Sequence, residues 1–383
     1  MRRILLPCLL GVGLLTGSAQ AEEAKPKPTW TDTLTLKGDL RYRIENIEEE
    51  GKEDRYRHRI RARVGAEAKP GEDLTIGLQF STSENNDPVS GNQSLGNGAS
   101  RKDIFLDLAY LDWHPATISG LHVIGGKMEN PFLRVSDLVW DSDLNPEGLA
   151  IKHTLGGDGL DLRLSAGSFW VEERSATSDD AMLYGAQAVG SFKKDDLNIL
   201  IGAGYFLFEN LEGFPVIDVT GSDRAKARAF GNDSIKETEL VDGVETTTDV
   251  LYGTGFEIAE LIAEVGFNVG VPAAVFGNYA VNQDADEDDT AYLVGFRLGK
   301  TKEPGSFDFA YNYREIEANA VLGAWTDADY IGGGTDGKSH KFSLGYQLTK
   351  LLKGQLTYFM SEKGLNGAGT DYDRVQVDVS AKF

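Results

Sequence analysis

The run RYRHRIRARVG, Arg55–Gly65, carries arginine at every second position from Arg55 to Arg63. Tyr56, His58, Ile60, Ala62 and Val64 stand between and after them. Successive side chains of a strand alternate faces, so an extended chain puts all five arginines on one side. A helix would turn each roughly 200° from the last and leave no apolar stripe. At about 3.3 Å per residue the arginine row is roughly 27 Å long. The apolar band of a membrane-spanning β-wall is about 25 Å tall. Alone, the stripe fits the solvent face of any soluble sheet; the rest of the chain decides otherwise.

The first residues read MRRILLPCLLGVGLLTGSAQA. Arg2 and Arg3 form a basic start, Ile4–Leu15 an apolar stretch, and Ala19–Ala21 a small-residue cleavage site. This is the pattern of a secretory signal peptide, residues 1–21, cut after Ala21. Residues 22–33, with Pro26 and Pro28, read as a periplasmic lead-in. Cleavage would remove the two arginines and take the formal charge of −22 down by two. An acidic chain of this kind argues against a nucleic-acid partner. The single cysteine, Cys8, lies in the leader, which excludes disulfides and thiolate metal sites from the mature chain. Beyond the leader no apolar run reaches the ~18 residues of a spanning helix.

Alternation recurs along residues 34–383. Examples are Leu34/Leu36/Gly38/Leu40/Tyr42/Ile44, Leu160/Leu162/Leu164/Ala166, Tyr292/Val294/Phe296/Leu298 and Val375/Val377/Val379/Ala381/Phe383. Their neighbours are polar, small or charged. Pieces of about ten residues with this pattern are the mark of a transmembrane β-barrel. Short turns such as Lys69–Asp73, Gly156–Gly159 and Lys193–Asp196 alternate with longer polar loops: Asn46–Asp54, Ser83–Lys102, Lys127–Glu147, Glu172–Asp180, Glu209–Asp249, Asn282–Asp289, Glu317–Gly337 and Ser361–Asp371. Short periplasmic turns and long external loops are the asymmetry expected of such a barrel. The pattern predicts an all-β fold: an antiparallel barrel of about sixteen strands, with both termini in the periplasm. Two stretches read ambiguously. Phe256–Val265 is compatible with a helical turn, and Ile104–Trp113 is apolar on both faces.

The cost of charge in lipid orients the arginines. Each Arg at mid-membrane costs about 2–4 kcal/mol, so five would cost roughly 10–20, more than the ~5–15 kcal/mol stability of a typical domain. Arg55, Arg57, Arg59, Arg61 and Arg63 must therefore face the lumen, with Arg41 and Arg43 of the preceding strand beside them. Tyr56, Ile60, Ala62 and Val64 face lipid, and His58 sits near the outer rim. Arginines about 6.6 Å apart on one face repel. Asp39, Glu45 and loop carboxylates are the candidates to offset them.

Other motifs carry less. Gly332–Ser339, GGGTDGKS, matches a phosphate-binding loop in spelling, but a strand follows it where that loop needs a helix. Asp284–Asp289 lacks the spacing and central glycine of an EF-hand and reads as a solvated acidic loop. The five histidines are scattered, and no nucleophile, base and orienter assemble. The sequence therefore calls for no enzyme activity, no cofactor and no metal site.

Among the loops, Lys127–Gly148, KMENPFLRVSDLVWDSDLNPEG, stands out. It mixes Glu129, Arg134, Asp137, Asp141, Asp143 and Glu147 with Phe132, Leu133, Leu138, Val139 and Trp140. Water has little use for that apolar set. A loop folded into the barrel would pack it on the wall and turn its carboxylates toward the pore, so these six charged residues are candidates for a constriction. The alternative is a surface loop packed on itself or on a neighbouring subunit.

The leader, the alternating strands, this third loop and the terminal Phe383 together resemble a bacterial outer-membrane porin. The wording GKMENPF (Gly126–Phe132) and VWDSDLNPEGLA (Val139–Ala150) is similar to the putative-porin family, and the first segment distantly to the phosphate-selective porins. The resemblance implies an outer-membrane channel for passive diffusion of small hydrophilic solutes and ions. It also implies contact with membrane lipid and lipopolysaccharide, and a homotrimer. An anion-selective channel for phosphate or carboxylates is the alternative. A plugged barrel serving as adhesin, structural protein or enzyme is the alternative of another class.

Overall fold

The structure is a computed structural model, and it describes residues 30–175, 179–218, 227–241 and 244–383. The leader, residues 1–21, and most of the lead-in lie outside the described residues. Sixteen antiparallel strands close into a barrel. In chain order they are β1 (Thr35–Glu49), β2 (Arg55–Ala68), β3 (Leu74–Thr82), β4 (Ile104–Trp113), β5 (Leu121–Lys127), β6 (Glu147–Gly157), β7 (Leu160–Glu172) and β8 (Ala181–Lys194). There follow β9 (Leu197–Glu209), β10 (Phe256–Asn268), β11 (Pro272–Asn282), β12 (Thr290–Gly299), β13 (Phe307–Ile316), β14 (Gly337–Gln347), β15 (Leu352–Lys363) and β16 (Thr370–Lys382). Each strand pairs with its chain neighbours, and β1 pairs with β16 from Asp39↔Lys382 to Glu49↔Tyr372. Closure removes every sheet edge, the only way a sheet satisfies its backbone groups in lipid. At the seam Phe383 and Gly38 exchange backbone hydrogen bonds of 3.0 and 3.1 Å. The Phe383 ring lies where a Cβ on residue 38 would be, 2.6 Å from Cζ, so only glycine fits there.

The outer surface is apolar, as lipid requires. On β2, Arg59 is 7% exposed while Val64 is 53% exposed, so alternation separates lumen from lipid. His58 lies on the outer face, where its Nδ1 meets the Tyr42 hydroxyl at 2.5 Å. Phe256–Val265 is strand, not helix: β10 pairs with β9 from Phe208↔Phe256 onward. Its helix-like pattern arises because Phe256, Ile258 and Ile262 face an apolar interior while Leu261 faces lipid. The ambiguity of Ile104–Trp113 also has a physical source. A bulge opposite Gln79–Phe80 shifts the register by one, so Ile104 and Leu106 before it and Leu111 and Trp113 after it all point outward.

Loop boundaries differ in detail. Residues 46–49 extend β1, and Lys127 and Glu147 belong to β5 and β6 rather than to the loop between them. In loop 2 (83–103), Gln93 pairs with Ile60 and Ser94 with Arg59, taking over β2 where β3 stops. Loop 5 (210–255) carries a hairpin of Ser234–Val241 and Val244–Tyr252. Loop 7 (317–336), expected to be an ordinary external loop, turns into the barrel. Its stretch from Ala318 to Trp325 is almost wholly buried, with Asn319 3% exposed among apolar residues.

The interior is divided. Strands β7–β13 line one half with Phe169, Leu183, Phe206, Ile262, Phe276 and Leu293, and the folded-in loops pack against them as a hydrophobic core. Strands β14–β16, β1 and β2 line the other half with charged and polar groups.

Candidate functional site

The third loop, residues 128–146, crosses the lumen. Its apolar residues seat on the apolar half-wall, where burial of each large side chain is worth about 1.5–3 kcal/mol. Phe132 and Trp140 each stack edge-to-face on Phe206 with ring centroids 4.9 Å apart. The Phe132 ring lies over Gly185, in the space a Cβ would occupy. A polar latch sets the register. The Gln187 amide on β8 accepts from Leu133 N at 2.7 Å and donates to Leu133 O at 2.9 Å. Ser136 Oγ donates to Asn278 Oδ1 at 2.8 Å. Arg134 curls back to donate to the carbonyls of Trp140 and Asp141, at 3.1 and 2.7 Å, and shapes the tip.

With its apolar side on the wall, the loop presents Asp143 to the arginine row. Arg61 Nη1 lies 3.2 Å and Arg63 Nη1 3.3 Å from Asp143 Oδ1. Asp39, opposite Arg63 in register, pairs with Arg63 at 2.7 Å and Arg61 at 3.0 Å. Glu45 pairs with Arg57. Arg59 reaches Glu84 of loop 2 at 3.3 Å. Arg43 is held by Asp378 on β16 at 2.7 Å and by Asp329 of loop 7 at 2.6 Å. Arg41 stands directly opposite Arg61 and donates to Asn92 Oδ1 at 2.6 Å. Arg55 is exposed at the outer mouth.

The candidate constriction residues do not act as one set. Asp143 meets the arginines. Asp141 is buried behind it, accepting from Asp143 N at 2.6 Å and from Ala328 N at 3.3 Å. Asp137 lies 3.8 Å from Arg134 within the loop itself. Glu129 is exposed on the far side, beside Lys152 and Arg163. Glu147 pairs with Lys127 at 2.8 Å and is 63% exposed. Glu129, Arg134 and Glu147 are therefore not part of the face toward the arginines.

Sequence reading missed loop 7. Asp329 takes both Arg43 and Arg374, the latter at 2.7 Å, and Asp327 takes Arg314 at 2.9 Å and Lys341 at 3.5 Å. Trp325 O accepts from Asp141 N at 2.9 Å, so loops 3 and 7 are joined backbone to backbone. The signal was present: ANAVLGAW, Ala318–Trp325, is as apolar for an external loop as the set that singled out loop 3. Asn232 of loop 5 clamps loop 7, donating to Ala318 O and Val321 O at 2.7 and 2.8 Å.

The loop carboxylates divide electrostatically. Burial pushes Asp141 well above the usual carboxylate range, reinforced by Asp327, Asp143 and Asp137. Burial acts on Asp329 in the same sense, but Arg43 and Arg374 outweigh it and hold that carboxyl well below the usual range. Burial raises Asp87 of loop 2 to about 6. A cavity of about 660 Å³ on the outer side and one of about 320 Å³ on the periplasmic side both touch Val89, Ser90 and Ala328. Those residues of loops 2 and 7 mark the waist between them.

The GKS motif has no part in this. Lys338 opens β14 and pairs with Glu362 on the outer rim at 2.8 Å.

Known proteins resemble the chain in fold. OprB of Pseudomonas putida superposes with a TM-score of 0.59 at 13% identity, over 92% of this chain and 94% of that one. OmpF of Salmonella typhi, solved with daunomycin, gives 0.55 at 12% over 92% and 99%. OmpT of Vibrio cholerae, solved in a trimer form, gives 0.50 at 14% over 92% and 100%. No curated protein sequence matches the chain. A family model described as "Putative porin" matches residues 48–238 and 225–383. With its sixteen-stranded barrel and inward loops, the chain belongs to the putative porin family and is an outer-membrane channel protein.

Proposed function

We propose that the lumen is a general diffusion path for small hydrophilic solutes and ions, sorted by charge at a waist built from loops 2, 3 and 7. The observation that carries this reading is the position of Asp143 across from Arg61 and Arg63. Wall arginines and loop carboxylates, paired at contact distance, set a patterned field along the cavities on either side of the waist. Such a field orients dipolar solutes and filters ions. The net charge of the chain does not set this selectivity, because much of it lies on external loops far from the waist.

The test is conductance of the purified protein in planar bilayers. Stepwise openings are expected, and their complete absence would sink the reading. Replacing Arg57, Arg59 and Arg61 together by Ala should lower the preference for anions. Unchanged conductance and reversal potential would remove these arginines from the rate-limiting path.

We also propose that the protein works as a homotrimer, supported by the trimer form of OmpT. Cross-linking in outer-membrane vesicles checks it: a monomer band alone overturns it.

A further inference from the structure

We infer that Arg41 is the anion contact of the waist, because among the described residues it alone of the half-buried and buried arginines of β1 and β2 has no ion pair with a carboxylate. This rests on the channel reading above. Arg43, Arg57, Arg59, Arg61 and Arg63 each form an ion pair. Arg41 forms none among the described residues; its guanidinium donates to the neutral amide of Asn92, and its buried Nε, like that of Arg59, has no hydrogen-bond partner among them. Arg55 has no ion pair among the described residues either, but it is exposed at the outer mouth, where water screens it.

Position makes the difference count. Arg41 lines the cavity of about 320 Å³ just below the waist, with Arg61 beside it and Asp143 and Asp329 facing it. The nearby carboxylates of Asp329 and Asp378 are held by Arg43 and Arg374, so a partly desolvated Arg41 lacks a direct partner, and a passing anion relieves that cost. Lys341, Lys353 and Lys382 line the same cavity, but Lys341 and Lys353 hold Asp327 at 3.5 Å and Asp308 at 2.9 Å, and Lys382 is exposed to water at the periplasmic end of β16. The ligand class is a small anion, chloride or a short carboxylate, held briefly and released. Loop 7 sets how many arginines are free. Asp329 holds Arg374 and shares Arg43 with Asp378, so this one loop carboxylate offsets charge on two cations at the waist. Arg41 and Asp329 are thus opposite controls on one selectivity.

The experiment is the reversal potential of single channels of the full-length protein under a KCl gradient, then under potassium acetate. Arg41→Gln should lower the anion-to-cation permeability ratio by about two-fold or more in both salts, and Arg41→Lys should keep it. Asn92→Asp gives Arg41 a carboxylate without removing the arginine, so it should lower the ratio as well. Asp329→Asn releases Arg374, leaves Arg43 to Asp378 alone, and should raise it. Stepwise channels whose ratio is unmoved by both Arg41→Gln and Asn92→Asp would overturn the assignment while leaving the pore reading intact. Absence of channels in the unsubstituted protein would overturn the pore reading itself.

Discussion

Asp143 at the tip of loop 3 lies 3.2 Å from the guanidinium of Arg61, a residue 82 positions earlier in the chain and on the opposite side of the lumen. The contact exists because three things coincide. Alternation on β2 turns Arg61 inward, the apolar face of loop 3 clamps it to the far wall, and Arg134 folds the tip so that its carboxylate faces across. Replacing Asp143 by Asn should leave the barrel folded and release Arg61 and Arg63 in part, since Asp39 still holds both. Anion preference in bilayers should rise modestly, by less than for Asp329→Asn. A fall in anion preference would show that Asp143 does not neutralise the wall.

Loop 3 is held by a latch as well as by packing. Gln187→Ala leaves Leu133 N and O without their partners in a buried site, a loss of about 1–3 kcal/mol. The barrel does not depend on this contact, so the heat-modified shift of the folded protein on gels should persist. Limited proteolysis should cut near Leu133 faster than in the parent. Equal cleavage rates would mean the apolar contacts alone fix the loop.

Gly185→Val tests the packing. The ring of Phe132 occupies the position of the missing Cβ, so a larger side chain must push it away. Displacing the ring forfeits part of the burial that fixes the loop, a cost of about 1–3 kcal/mol for an overpacked site. Open-channel noise should increase as the loop moves. A quiet channel with unchanged conductance would show that Phe132 repacks elsewhere.

Asp141 makes the joint between loops 3 and 7 sensitive to pH. Burial, and then Asp327, Asp143 and Asp137, disfavour its charged form; Arg314 and Lys341 spend their charge on Asp327. A carboxyl whose pKa is raised in the folded joint stabilises that joint fully below its free value, near 4, and loses the contribution as pH rises through the raised value. Asp87 adds to this in the same sense, losing its contribution around its value of about 6. The joint should therefore be tightest in acid and loosen as pH rises. Channel closure or noise should titrate in that direction, and Asp141→Asn should flatten most of the dependence. A profile unaltered by Asp141→Asn would assign it to other groups.

The barrel was legible from residues because lipid imposes one rule on every strand. Leu160, Leu162 and Leu164, or Val375, Val377 and Val379, announce themselves by period alone. The rule failed where the inner face was also apolar. Phe256, Ile258 and Ile262 blurred the alternation of β10 because they meet loops folded into the lumen, which a strand pattern does not encode. Charge cost and an apolar external loop each point inward in the sequence, and in the structure Asp143 meets Arg61 and Arg63. Glu129 and Glu147 stand away from Asp143 on the folded loop, because linear proximity says nothing of which side of a folded loop a carboxylate takes. Asp329 was missed although Ala318–Trp325 carried the same kind of apolar signal that drew attention to loop 3.

Asp329 has a consequence for assembly. Arg43 is on β1 and Arg374 is on β16, the first and last strands, whose pairing closes the barrel. One carboxylate bridging them acts as a rivet across the weld, set from inside the shell. A chain whose first and last strands have not met offers loop 7 no such anchor. The loop would then stay outside, exposed to proteases, until closure is complete. The same side chain that tunes the waist thereby certifies a finished barrel.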